Sequence, residues 1–243
     1  MSRLLAFVYG ALVYVMFLGA IVYSIGFVAN WTDLPKTIDS GAPGPVMSAV
    51  AIDLILLGIF AIQHSVMARP GFKAWWTRFV PTAVERSTYV LFANLVLILL
   101  LWKWQPMPEV VWQVEGPAAA ALAGLSQIGW GIVFLSTFLI SHFDLFGLKQ
   151  VFDNLRQMQI EDPQFRTPFL YKFVRHPLYL GFIIAFWAAP VMTMGHLFFA
   201  VATTGYIFIG LLLEERDMVA MFGQTYVNYQ RRVSMIVPTL PRE

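Results

Sequence analysis

The chain has 243 residues, of which 58% are hydrophobic and only 12% are charged. Its apolar residues fall in runs too long for a soluble core, which predicts an all-α, polytopic transmembrane helical bundle with amphipathic helices at the membrane surface. The lack of cysteine excludes disulfides, thiolate metal sites and a cysteine nucleophile in this chain. The formal net charge of +2 is small and its basic residues are scattered, so we expect no nucleic-acid partner.

Four apolar segments in the first 140 residues are each about long enough to cross a bilayer. The first follows Arg3 and lacks the small-residue cleavage site of a signal peptide, so we expect it to stay in the mature chain. In the fourth segment, the small residues Ala120, Gly124 and Gly131 would let a neighbouring helix approach closely. The four predicted spans are Leu4–Ala29, Val46–Ala68, Ser87–Trp104 and Pro117–Ile140.

The remainder of the chain divides into a polar part and a second apolar part. From His142 to Lys172, charged and apolar side chains alternate, which is typical of an interfacial amphipathic helix followed by a loop. The apolar stretch from Leu178 to Leu213 is 36 residues long, too long for one crossing, and Pro190 and Gly195 are expected to divide it. We therefore predict three regions: residues 1–140 with four spans, an amphipathic connector at 141–176, and a hairpin and tail at 177–243.

The distribution of Lys and Arg predicts the orientation in the membrane. If the amino terminus, residues 69–86, residues 141–176 and the tail lie on one side, 14 of the 16 basic residues are there, and Lys36 and Lys103 are opposite. Cytoplasmic loops carry the excess of basic residues, so this side is expected to be cytoplasmic. Two cytoplasmic termini need an even number of crossings. The last apolar stretch is therefore expected to be a full hairpin or a re-entrant pair.

A dense group of polar residues marks the entry into that hairpin, at Arg175-His176-Pro177-Leu178-Tyr179-Leu180-Gly181. Pro177 suits a first helical turn and so marks the boundary between loop and helix. A cation, an imidazole and a phenol within five residues predict a site for a polar, partly charged ligand at the membrane face. The alternative is a positive-inside anchor, a surface histidine and an interfacial aromatic residue.

The tail is expected to be one amphipathic helix from Glu214 to Arg232. Steps of three and four residues place acidic and aromatic side chains on one stripe, namely Glu215, Met218, Phe222, Tyr226 and Tyr229. Folded against Arg175–Tyr179, the stripe would complete a pocket of carboxylates, phenols, an imidazole and a guanidinium. A solvated helix lying on lipid headgroups is the alternative interpretation.

These motifs resemble those of isoprenylcysteine carboxyl methyltransferase-like membrane enzymes. The residues that carry this resemblance are Arg175-His176-Pro177-x-Tyr179-x-Gly181, Glu214-Glu215, Phe222-Gly223-x-x-Tyr226-x-x-Tyr229-x-x-x-Val233 and Val237-Pro238, with Val237 where the family often has Ile. The front half is similar to the bacterial, NnrU-related methanethiol S-methyltransferases. Its matching segments are Gln63-His64-Ser65-x-Met67-Ala68-Arg69-Pro70, Glu85-Arg86-Ser87-Thr88-Tyr89-Val90-Leu91 and His142-Phe143-Asp144-Leu145-Phe146-Gly147-Leu148.

The resemblance implies an enzyme that uses S-adenosyl-L-methionine to methylate methanethiol to dimethyl sulfide in the membrane. It implies a cofactor site in the C-terminal region, on the cytoplasmic side. Arg175 is expected to pair with the methionyl carboxylate, Glu215 to accept from the ribose or amino group, and a tyrosine ring to face the sulfonium. Carried over by position, the cofactor-binding residues are Arg175, His176, Pro177, Tyr179, Glu214, Glu215, Tyr226 and Tyr229.

Methyl transfer from a sulfonium releases a neutral thioether, so only the thiol needs activation. A small alkyl thiol is a weaker acid than cysteine, whose free pKa is about 8.5, and a base is therefore expected. His64, near the cytoplasmic end of the second span, and His142, beside Asp144, are the candidates, and Tyr179 is the third predicted catalytic residue. A structural histidine is the alternative for His64. The histidines are too dispersed to predict a metal site.

Two other functions fit the same sequence. The first is a methyltransferase that uses the same cofactor and a lipid amine or a prenylcysteine carboxylate as methyl acceptor. Such an enzyme would need an opening between helices for a lipid chain. A membrane scaffold or transporter-like protein with a degenerate cofactor motif is the non-enzymatic alternative. Nothing in the sequence implies an obligatory protein partner, and the lipid bilayer is the expected environment.

Overall fold

A computed structural model describes residues 2–158 and 164–240 of the protein. The fold is an all-α polytopic membrane bundle, as predicted. Within the described ranges, five helices are long and apolar enough to cross a membrane. These helices are α1 (Arg3–Val28), α2 (Val46–Ala68), α4 (Thr82–Lys103), α5 (Gly116–Ile140) and α9 (Met194–Phe222).

Short elements connect the long helices. They are α3 (Pro70–Trp76), α6 (His142–Leu145), α7 (Leu148–Arg156), a 3₁₀ turn (Phe169–Lys172), α8 (Pro177–Trp187) and α10 (Gln224–Arg232). A two-stranded antiparallel ribbon, β1 (Val110–Gln113) with β2 (Val191–Thr193), was not predicted. Residues 159–163 of the predicted connector lie outside the described residues.

The last apolar stretch is a helical hairpin with unequal arms. Helix α8 has 11 residues and is about 16 Å long at 1.5 Å per residue, too short to cross a hydrocarbon core of about 30 Å by itself. The break between α8 and α9 contains Pro190, as predicted, but Gly195 lies inside α9. The predicted start of the tail helix at Glu214 is wrong, because α9 continues to Phe222. Gly223, with φ of 56°, separates α9 from α10.

The chain forms two compact units, and the first contains the helices before Pro108 together with the region after Ser141. Here α7 packs on α1, where Val151 is fully buried and a Cβ on Gly10 would lie 2.6 Å from its Cγ2. The Nε of Arg86 donates a 2.8 Å hydrogen bond to the carbonyl of Leu145. The amphipathic helix is thereby anchored to the amino-terminal helices.

The second unit contains Glu109–Ile140 and the chain after residue 163. Its α5 and α8 pack backbone against backbone, because a Cβ on Gly129 would lie 2.6 Å from the Ala185 nitrogen and 2.7 Å from the Gly181 oxygen. The small residues predicted to admit a neighbouring helix do not mediate this contact: among the described residues, no atom outside the local helix lies within 4 Å of a Cβ built on Gly124 or Gly131, and Ala120 is exposed. The two units group the chain differently from the three predicted regions, since α5 packs on α8.

Candidate functional site

The candidate site in the second unit starts from a short pairing between the loop before α8 and the end of the chain. The backbone N–H of Arg175 donates to the Ser234 carbonyl at 2.9 Å, and that of His176 donates to the Met235 carbonyl at 3.2 Å. Pro177 is buried at the first turn of α8, as predicted. The pairing holds the side chains of Arg175 and His176 against α9 and α10.

A single buried carboxylate organises the polar groups of this site. Glu215, 6% exposed, accepts at Oε1 from the Nε of Arg175 at 2.8 Å, the Nε2 of His176 at 2.7 Å and the Tyr226 hydroxyl at 3.0 Å. Its Oε2 accepts from Nη2 of Arg175 at 3.1 Å and from the amide of Gln230. A carboxylate has about four lone-pair sites, so Glu215 has no capacity left for a ligand.

Arg175 is equally committed to the protein. Besides its two bonds to Glu215, it donates through Nη1 to the carbonyls of Gln230 and Val233. Four of its five N–H groups are therefore used. Arg175 and Glu215 thus bind each other and fasten α8, α9 and the tail, and their expected roles as direct ligands of the cofactor stay predictions that this geometry does not favour.

Glu214 and Tyr179 form a second, more open polar pair. The Tyr179 hydroxyl donates to Oε2 of Glu214 at 2.9 Å, and the Glu214 side chain is 40% exposed. The Nδ1 of His176 lies 3.9 Å from the other Glu214 oxygen. This carboxylate can therefore receive a ligand's hydrogen bonds, whereas the neighbouring Glu215 cannot.

Aromatic side chains line the same region. The ring of Phe165 lies 5.4 Å from those of Phe222 and Tyr229 and 5.8 Å from that of Tyr226. Burial raises the pKa of both phenols, and the charge of Glu215 raises the pKa of Tyr226 further, so both are neutral at physiological pH. The Tyr229 hydroxyl donates to the Tyr171 carbonyl. The predicted stripe thus brings Tyr226 to Glu215, whereas Tyr229 bonds elsewhere.

The two predicted bases lie in the first unit, and each imidazole is bonded to a tyrosine. The Tyr89 hydroxyl lies 3.0 Å from Nδ1 and 3.1 Å from Nε2 of His64, and the Arg86 guanidinium lies 4.8 Å from the centre of the Tyr89 ring. The Tyr14 hydroxyl is 2.8 Å from Nε2 of His142. Burial lowers the pKa of His142 and so favours its neutral form.

Sequence comparison identifies the relatives of this chain. It is 56% identical to methanethiol S-methyltransferase 1 of Bradyrhizobium diazoefficiens over 237 residues, which cover 97% of this chain and 83% of the relative. It is 53% identical to methanethiol S-methyltransferase 2 of the same organism, over 98% of this chain and 92% of the relative. The chain belongs to the methanethiol S-methyltransferase family. A family enzyme of Mycobacterium tuberculosis is 52% identical, with 98% of both chains covered.

Membership of the methanethiol S-methyltransferase family confirms the resemblance predicted from the motifs. No family model and no solved structure matches the chain.

Several residues of the polar network were not predicted. Gln230, four residues after Tyr226, lies one helical turn further along α10, so helical spacing would have identified it. The Val233 carbonyl, which accepts from Arg175, leaves no signal in a sequence because every residue has a carbonyl group. Tyr14 and Tyr89 lie far along the chain from the histidines that they contact.

Proposed function

We propose that this member of the methanethiol S-methyltransferase family transfers the methyl group of S-adenosyl-L-methionine to methanethiol and releases dimethyl sulfide. The observation that carries the proposal is the 52–56% identity to enzymes of that name over at least 97% of the chain. The distribution of basic residues supports a cytoplasmic site and cytoplasmic termini, and the bacterial sources of these relatives support a bacterial inner membrane.

The chemistry of the second unit fits a sulfonium donor. The half-exposed carboxylate of Glu214 suits the donor's ammonium group or ribose hydroxyls, and the ring of Tyr179 suits its cationic sulfur. We propose that His176, Pro177, Tyr226 and Tyr229 complete the wall of this site. Arg175 and Glu215, also predicted to bind the cofactor, are proposed to position those groups instead.

A site at the end of membrane helices, with aromatic rings beside its polar groups, suits this reaction. When bound, the donor supplies an activated methyl group, so the protein has to orient the reactants and help the thiol to lose its proton. A thiolate and a sulfonium lose their charges as they react, which an apolar environment favours over water. His64, His142 and Tyr179 remain predictions for the catalytic residues. Replacing a true base by alanine is expected to slow turnover and leave donor binding intact.

Headspace gas chromatography tests the proposal directly. Membranes that contain the protein are supplied with methanethiol and S-adenosyl-L-methionine, with Glu215→Ala as the control. Dimethyl sulfide is expected from the parent and not from the control, in which the buried network is broken. Donor binding without dimethyl sulfide would favour a lipid amine or prenylcysteine carboxylate as acceptor. Absence of S-adenosyl-L-methionine binding would favour the alternative of a non-enzymatic membrane scaffold or transporter-like protein.

A further inference from the structure

We propose that His176 is the base that accepts the thiol proton, at Nδ1, and that Glu215 holds its imidazole in the required tautomer. This assignment rests on the proposed function. It differs from the prediction from sequence, which placed His176 among the cofactor ligands and the base at His64 or His142.

The hydrogen bond between His176 and Glu215 determines which ring nitrogen carries the proton. Glu215 pairs with Arg175 through two bonds of 2.8 and 3.1 Å, so its carboxylate is ionised and only accepts hydrogen bonds. The Nε2 of His176, 2.7 Å from Oε1, must therefore carry a hydrogen. In the neutral imidazole, Nδ1 then has the lone pair that can receive a proton.

The groups around His176 also stabilise the imidazolium that proton transfer would create. Five of them are ionisable: Glu215 on Nε2, Glu214 near Nδ1, the neighbouring Arg175, Tyr179 on Glu214, and Tyr226 on Glu215. Arg175 balances the charge of Glu215. In the described part of the chain, Nδ1 of His176 lies 3.9 Å from Oε1 of Glu214. A proton on Nδ1 would therefore give Glu214 a counter-ion.

The other two candidate bases have less suitable surroundings. The Tyr89 hydroxyl is within hydrogen-bond range of both ring nitrogens of His64, and the positive charge of Arg86 lies over the ring of that tyrosine. In the tautomer in which such a phenol donates to the imidazole, it occupies the lone pair that a base needs. The Tyr14 hydroxyl likewise lies 2.8 Å from Nε2 of His142.

The proposed step balances in atoms and charge. The S–H bond of the thiol breaks and its proton bonds to Nδ1 of His176. The sulfur electron pair forms the new bond to the methyl carbon of the sulfonium donor, whose old carbon–sulfur pair stays on the leaving thioether. His176 then releases its proton to water and keeps its Nε2 hydrogen on Glu215.

His176→Gln tests the assignment, because a glutamine amide can still donate a hydrogen bond to Glu215 but cannot accept a proton from the thiol. Binding of S-adenosyl-L-methionine, measured by calorimetry in detergent, is expected to stay within about threefold, because glutamine keeps the hydrogen bond to Glu215 and so preserves the wall of the site to which His176 belongs. Turnover at pH 7 is expected to fall by about 10²–10⁴-fold. The remaining rate is expected to rise about tenfold per pH unit below the pKa of the thiol, because only preformed thiolate reacts.

His196→Gln is the matched control. His196 is also buried in the second unit, where its Nε2 bonds to the Phe186 carbonyl at 2.9 Å, away from the polar network. A glutamine side chain can still donate a hydrogen bond to that carbonyl. His196→Gln is therefore expected to have the turnover and the pH dependence of the parent protein. Nitrogen-15 NMR of histidine in the parent protein gives a result that does not depend on activity. Neutral His176 is expected to carry its hydrogen on Nε2.

Four results would overturn the assignment: parental turnover in His176→Gln, loss of its donor binding, a residual rate that pH does not raise, or a neutral His176 with its hydrogen on Nδ1. A pH-rescued loss in His64→Gln or His142→Gln instead would place the base there. If the parent protein forms no dimethyl sulfide, the proposed function itself is wrong. The two failures are therefore distinguishable.

Discussion

Two buried carboxylates on membrane helices have opposite surroundings. Glu215 on α9 accepts five hydrogen bonds from four side chains. Asp53 on α2 is fully buried, and its Oδ1 accepts one bond, from the Gln105 backbone N–H at 2.8 Å. Its Oδ2 has no hydrogen-bond partner in the part of the chain that the structure describes. An ionisable residue inside a membrane segment is by default expected to have a functional role. The hydrogen bonds around the residue distinguish that role from a structural one.

The two carboxylates also differ in the cations near them. Arg175 contacts Glu215 directly and bidentately, whereas Lys36, the cation that interacts with Asp53, directs its Nζ to the Ser40 carbonyl at 3.4 Å. Burial lowers the pKa of Lys36, and the charge of Asp53 opposes that change. Glu215 thus belongs to a charge-paired hydrogen-bond network, whereas Asp53 binds the backbone just beyond the end of α4.

The largest expected effect is that of Glu215→Ala. Removing this carboxylate leaves Arg175 buried without its counter-ion, which costs about 3–5 kcal/mol when one partner of a buried pair is removed. We expect a large fall in the free energy of unfolding in detergent, together with loss of donor binding. Chemical denaturation and calorimetry measure the two effects.

Glu214→Ala is the matched control for that change. Because the Glu214 side chain is 40% exposed and does not hold the network together, we expect weaker donor binding with a much smaller loss of stability. Equal destabilisation by the two variants would contradict the distinction between a positioning carboxylate and a ligand-binding one.

The next largest effect is expected at the contact between α5 and α8, because α8 follows Arg175 and His176 of the Glu215 network. Gly129→Ala would force α5 away from α8, because the new Cβ would lie 2.6 Å from a backbone nitrogen. Overpacking of this kind costs about 1–3 kcal/mol, and α8 carries His176 and Tyr179 at its start. We expect a lower unfolding midpoint and weaker donor binding.

Gly131→Ala separates this contact from the general effect of alanine in a helix. In the part of the chain that the structure describes, no atom outside the local helix lies within 4 Å of a Cβ at Gly131, so alanine is expected to be neutral or slightly stabilising there. Similar losses in both variants would show that the approach of α5 to α8 does not support the site.

Asp53→Asn should have the smallest effect. The amide oxygen can still accept from the Gln105 N–H, and the substitution removes a buried charge with an unsatisfied oxygen. We expect the free energy of unfolding to change by less than about 1 kcal/mol and methyl transfer to stay at the parental rate. Loss of methyl transfer in a stable variant would show that Asp53 has a functional role. It would contradict the view that Asp53 is a structural residue.

Sequence reasoning predicted the membrane helices well for a simple reason. The length of an apolar run is set by bilayer thickness, so the span at Val46–Ala68 is observed with the bounds expected and the others differ only at their ends. It also located the polar residues of the candidate site, because charged and phenolic side chains at the end of an apolar run are rare. Residue types and their spacing along one helix are local properties.

Only the tertiary structure decided which of these side chains bind each other. Arg175 and Glu215 are 40 residues apart, and the stripe containing Glu215 was compatible with a ligand, with lipid headgroups or with the arginine. Helical periodicity likewise identifies small residues on α5 without showing that Gly129, and not Gly131, meets α8. The pattern of a helix determines its faces, whereas the neighbour on each face depends on how distant segments pack. That packing pairs Arg175 with Glu215, two expected ligands, and directs Nε2 of His176 to the same carboxylate.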